Sequence, residues 1–87
     1  MSRILRYTVP VDGHEHPFDL AGPVVHVATR REDEVEFWTV DDGESTFHAR
    51  AFSVVGTGHP YPDHWKHVGS AITPSGLYVW HLMEVPA

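Results

Sequence analysis

The sequence predicts an all-β fold. One small domain over residues 1–87 is expected, a barrel or sandwich of about seven mostly antiparallel strands with at most one short helical turn. Apolar and polar residues alternate with a period of two over Arg3–Val11 and Glu34–Val40, the pattern of strands with one buried face. Turn signals separate the short apolar runs at regular intervals: Asp12-Gly13, Ala21-Gly22-Pro23, Asp41-Asp42-Gly43-Glu44 and Pro74-Ser75-Gly76. No segment sustains a helical period, and there is no internal repeat, linker or low-complexity tract.

Taken in order, Arg3–Val11 sets Leu5, Tyr7, Val9 and Val11 on one face and Arg6 and Thr8 on the other. Pro10 lacks an amide donor, which suits an edge or a strand end. Phe18 and Leu20 follow the Asp12-Gly13 turn as a short second strand that Pro17 weakens. Val24–Thr29 reads as the third strand, Arg30–Glu34 as a charged turn, and Glu34–Val40 as the fourth strand, with Val35 and Phe37 facing away from Glu36, Trp38 and Val40. Asp41–Glu44 reads as a hairpin loop, which makes Thr46–Val55 the partner of the fourth strand. Phe47 has the opposite parity to Phe52 and Val54, so burial of all three requires a bulge near Ala49–Ala51. A single helical turn is expected near Asp63–Lys66. His67–Thr73 and Leu77–Val85 complete the set, and the last run is apolar on both faces, which places it centrally.

Composition narrows the function. Twelve acidic against six basic residues give a net charge of −6, which repels a phosphate backbone and argues against nucleic acid as a partner. No run approaches the ~20 apolar residues of a membrane span, and the amino terminus carries no apolar signal region. A protein working away from the membrane is the expectation. Cysteine is absent, so disulfides contribute nothing, as suits a reducing compartment. A chain this short buries only roughly 60–65% of its unfolded surface, so a homo-oligomer or a larger partner surface is expected to add stability.

The stretch Gly56-Thr57-Gly58-His59-Pro60-Tyr61-Pro62-Asp63-His64-Trp65-Lys66 holds the densest cluster of special residues. Gly56 and Gly58 supply bends at a sharp strand exit, and His59 with Pro60 fixes the loop's shape. A phosphate-binding loop is disfavoured, because Pro60 and Pro62 follow where a helix would have to start. Tyr61 and Trp65, with Trp38 on the polar face of its strand, are the candidate anchors for a protein partner.

The eight histidines raise a metal alternative, namely zinc held by His59, His64 and His67 with Asp63 as an oxygen ligand. Their spacing matches no established metal motif. His14 and His16 fall on one side of an extended segment. The serines sit in no nucleophile elbow, although Ser70, a histidine and Asp63 could form a triad. On this reading the chain has no catalytic residues, is not an enzyme and needs no cofactor, and it acts by protein contact.

Five blocks carry a resemblance. They are Ile4-Leu5-Arg6-Tyr7-Thr8-Val9-Pro10-Val11, Val25-His26-Val27-Ala28, Phe52-Ser53-Val54-Val55-Gly56-Thr57-Gly58-His59-Pro60, His67-Val68-Gly69-Ser70 and Val79-Trp80-His81-Leu82-Met83-Glu84. In this order and spacing the chain resembles an uncharacterised family of short proteins of tailed phages and prophages, many of them from phages of actinobacteria. Ser70 and Met83 stand where that family more often has threonine and phenylalanine. The resemblance implies a phage origin, a viral or host protein as partner, and a location in the host cytoplasm or the virion. It transfers no activity.

Overall fold

The computed structural model describes residues 1–86. Seven strands form: β1 (Arg3–Pro10), β2 (His16–Leu20), β3 (Val24–Arg31), β4 (Glu34–Asp41), β5 (His48–Gly56), β6 (Lys66–Ile72) and β7 (Val79–Val85). They make two antiparallel sheets, β1-β4-β3 and β2-β5-β7-β6, stacked as a sandwich. The described residues contain no helix, and hence none long and apolar enough to cross a membrane. At Asp63–Lys66, where a helical turn is expected, the chain makes a β-turn closed by the Trp65 amide on the Pro62 carbonyl at 3.0 Å.

The period-two pattern fills the core from both sheets. Val9, Val35 and Phe37 from the first meet Leu20, Phe52, Val54 and Leu82 from the second. Phe37 is the hub of this layer: it stacks on Tyr7 at 5.3 Å, takes the edge of Phe18 at 5.5 Å, and lies 4.8 Å from Phe52 across the sandwich. These are the offset and edge-on arrangements that aromatic quadrupoles favour. Strand β7 lies between β5 and β6 with Leu82 and Met83 both buried, as its two apolar faces require. Leu77 and Tyr78 lie before the strand and are exposed. Pro10 and Pro17 sit in β1 and β2, both edge strands where a missing donor costs no ladder bond.

Two pairings differ from the sequence reading. Asp41–Glu44 is not a hairpin: β4 pairs with β1 and β3, while β5 pairs with β2 and β7 in the opposite sheet. The segment instead carries the chain from one sheet to the other. Asp42 accepts the amides of Glu44 and Ser45, giving the crossing a local hydrogen-bonded shape. Phe47 belongs to this crossing and is 43% exposed, so no bulge near Ala49–Ala51 is needed, and β5 runs in unbroken register. The register shifts fall in β3, between Val24 and His26 and between Ala28 and Arg31, and in β6, between His67 and Gly69.

Candidate functional site

The segment between β5 and β6 leaves the sheet through a tight turn. The His59 amide bonds the Gly56 carbonyl at 3.1 Å, and Gly58 occupies the third position with φ +87°, a conformation open to glycine. Gly56 has a different reason for lacking a side chain. A Cβ there would lie 3.0 Å from His59 Nδ1 and 3.1 Å from Trp80 Cζ3, so glycine lets both rings close over the strand end. Gly56, Gly58 and His59 thus lie together at the turn by which the chain leaves β5, and Pro60 follows it.

Pro60, Tyr61 and Pro62 then run to the turn that ends at Trp65. With His59 and Trp80 they line an open cleft of about 330 Å³, which Val11 and Gly13 also border. Trp80 also borders a second cleft of about 220 Å³, whose other wall includes Leu77 and Tyr78. Tyr78 stacks almost parallel on Trp80 at 5.2 Å. The indole is held from behind, since its Nε1 donates to the Glu32 carbonyl at 2.9 Å. Trp80 thus lines both clefts, together with Gly56 and His59.

Tyr61 is 47% exposed and Trp65 half-buried, and both line the larger cleft. Trp38 stands apart, on the outer face of the first sheet. It is half-buried, with its ring 5.4 Å from that of His26, and belongs to no common surface with the loop. Trp80 is the cleft residue that parity hid. It shares its face with buried Leu82 and reads as core, yet its ring lines the cleft beside the loop.

Asp12, next to Gly13 at the cleft wall, accepts from the His16 ring and the His14 amide, and these bonds hold its carboxyl below the usual carboxylate range. His16 is thereby turned to Asp12, so His14 and His16 do not act as a pair.

The metal alternative is not assembled. Among the described residues no three histidine or carboxylate side chains gather to hold an ion, so His59, His64, His67 and Asp63 do not form a zinc site. The reason lies in the bends: Pro60 and Pro62 carry His64 and Asp63 away from the strand end, while His67 is already in β6.

His67 takes part in a different constellation. Its Nε2 lies 2.9 Å from Ser70 Oγ, Ser70 Oγ lies 2.7 Å from His81 Nδ1, and His81 Nε2 lies 2.7 Å from Thr57 Oγ1. Asp63 has no part in it, so the triad drawn from the sequence does not form. Ser70 and His81 are cross-strand partners, a relation that hairpin counting could find only with the turn centred correctly. A centre at Ser75 pairs Ser70 with Trp80, one residue out of register.

No curated protein and no solved structure matches the chain. A family model described as a domain of unknown function, DUF7352, matches residues 1–87. A match over the whole length, on a sandwich whose every strand falls inside it, settles membership: the chain belongs to the DUF7352 family.

Proposed function

We propose that this is a small non-enzymatic binding domain that works through protein–protein contact, with the Gly56–Lys66 loop as its contact surface. One observation carries the reading. Tyr61 and Trp65 flank an apolar cleft of about 330 Å³ backed by Trp80, and Pro60 and Pro62 stiffen the segment that presents them. Aromatic side chains beside a preformed pocket are the usual anchors of an interface, and proline reduces the entropy lost when a loop is fixed against a partner. The negative net charge favours a protein over a nucleic acid as that partner.

The setting follows from the resemblance of the sequence blocks to short phage and prophage proteins. The partner is then a virion component, with this chain as an accessory subunit, or a host protein bound after infection. The test introduces a photo-crosslinking residue at Tyr61 and identifies the covalent adduct from purified particles or infected cells. Association is expected to be lost in Tyr61→Ala and Trp65→Ala while Trp38→Ala retains it, all three keeping the wild-type circular dichroism. Retention of the partner by both loop variants overturns the proposal.

A further inference from the structure

We propose that His67 and His81 form a two-nitrogen site for a borderline divalent transition cation on the outer face of the second sheet, with Ser70 between them. The site lies outside the cleft of the contact loop and shares only Thr57 with that segment, as an outer partner of His81. It differs also from the zinc set expected from sequence, of which only His67 takes part.

The bulge in β6 builds it. Residues three apart in a regular strand point to opposite faces, yet His67 Nε2 reaches Ser70 Oγ at 2.9 Å. The register shift between His67 and Gly69 supplies the extra residue that re-aims His67. Ser70 is paired across the ladder with His81, whose Nδ1 approaches the same oxygen at 2.7 Å. The two rings lie 5.5 Å apart, centroid to centroid. Two imidazole nitrogens from different strands thus converge on one point.

That point is the Ser70 hydroxyl, and without metal one chain of donors serves it, with Thr57 Oγ1 donating to the Val79 carbonyl at 3.5 Å and accepting from His81 Nε2. The Ser70 hydroxyl carries one hydrogen and can satisfy the lone pair of only one imidazole, so the other ring must turn a protonated nitrogen toward it. With the Ser70 side chain rotated aside and His67 in its other neutral tautomer, a cation between the rings accepts a lone pair from each. Metal–nitrogen bonds of about 2.0–2.1 Å are shorter than the present contacts to Ser70 Oγ, so both rings close in on the cation as the serine turns away. Thr57 prepares His81 for this, because its hydroxyl lies 2.7 Å from the Nε2 on the far side of the ring. Such an outer partner fixes the tautomer and orientation of a ligating imidazole. His67, Ser70 and Thr57 are exposed, so water can fill the remaining positions of an exchangeable site. Imidazole ligands suit Cu²⁺, Ni²⁺ and Zn²⁺, with Cu²⁺ the tightest.

The test is Cu²⁺ titration of the chelator-treated protein, followed by two-dimensional amide NMR. At substoichiometric Cu²⁺, paramagnetic broadening is expected first at His67, Ser70 and His81. Removing one ligand, in His67→Gln or His81→Gln, is expected to weaken Cu²⁺ binding by about ten-fold or more, while His59→Gln and His64→Gln bind as wild type. Gln keeps an amide for the Ser70 contact, and an unchanged amide spectrum without metal shows that each variant is folded. Broadening centred on other histidines, or an affinity unchanged in His81→Gln, overturns the proposal.

Discussion

Gly69 of β6 lies directly against Val27 of β3, where the edge strands of the two sheets meet. A Cβ built on Gly69 would fall 2.6 Å from Val27 Cγ2 and 2.9 Å from Val27 Cβ, closer than such atoms pack. The glycine therefore sets how near the sheets come at this edge. Gly69→Ala is expected to destabilise the fold by about 1–3 kcal/mol, the usual cost of overpacking, measured by urea denaturation. Val27→Ala removes the two γ-methyls, so the double variant should be more stable than the sum of the single effects. Strict additivity would show that this contact does not set the spacing.

Gly56 controls the contact loop in the same way. In Gly56→Ala the new methyl meets His59 and Trp80 together, at 3.0 and 3.1 Å. Both rings can shift, so a modest loss of about 1 kcal/mol is expected, with a changed Trp80 environment. Tryptophan fluorescence should move while the far-ultraviolet spectrum stays β. An unaltered emission spectrum would argue that the loop is not shaped at Gly56.

The last strand separates core from surface at close range. Leu82 is fully buried at the centre of the second sheet, whereas Leu77 is 77% exposed. Leu82→Ala should cost about 2–5 kcal/mol, from lost burial and the cavity left behind. Leu77→Ala should stay within about 0.5 kcal/mol of wild type. Equal effects in thermal melts would place β7 wrongly.

Acid should destabilise the protein through named carboxylates. Glu36 is buried and held by Arg30 through bonds of 2.6 and 2.8 Å, with Arg6 at 3.4 Å, and the Arg30 bonds chiefly keep its carboxyl below the ordinary range. Glu84 is lowered by Arg50, and Asp41 by the Gly43 amide and then Arg3. A group with a depressed folded pKa contributes its full stability above the unfolded value, and loses it as pH falls through the folded one. The melting temperature should therefore hold down to about pH 5 and drop below about pH 4, where unfolded carboxylates take up protons. Glu36→Gln should melt lower at neutral pH and show a shallower acid drop. An identical pH profile in the variant would rule out Glu36 as a contributor.

Much of the fold was legible along the chain. Alternation placed Leu5, Tyr7 and Val9 on one face and identified Phe37, Phe52 and Leu82 as core, because side-chain direction in a strand is a local property of the backbone. Phe47 shows the limit of that reasoning. Its parity conflicts with that of Phe52 and Val54, and sequence resolves the conflict with a bulge where the structure leaves the ring in an exposed crossing. At the candidate sites, Gly56, Gly58, His59, Pro60, Tyr61 and Trp65 could be read from local chemistry. Trp80 and the Ser70–His81 pairing could not, since each depends on a surface built by distant segments.

The sequence by itself determined the strand class, the central place of the last strand and the net negative charge. These follow from backbone propensity, side-chain period and charge, all local to the chain. Tertiary structure alone decided that β4 joins β1 and β3 while β5 crosses to the other sheet. It decided too that Trp80 lines two clefts, and that a bulge turns His67 toward Ser70 and His81. The physical reason is that strand pairing is a contest among edges far apart in sequence. It is settled by which faces bury together, and a turn such as Asp41–Glu44 serves a hairpin or a crossing equally well.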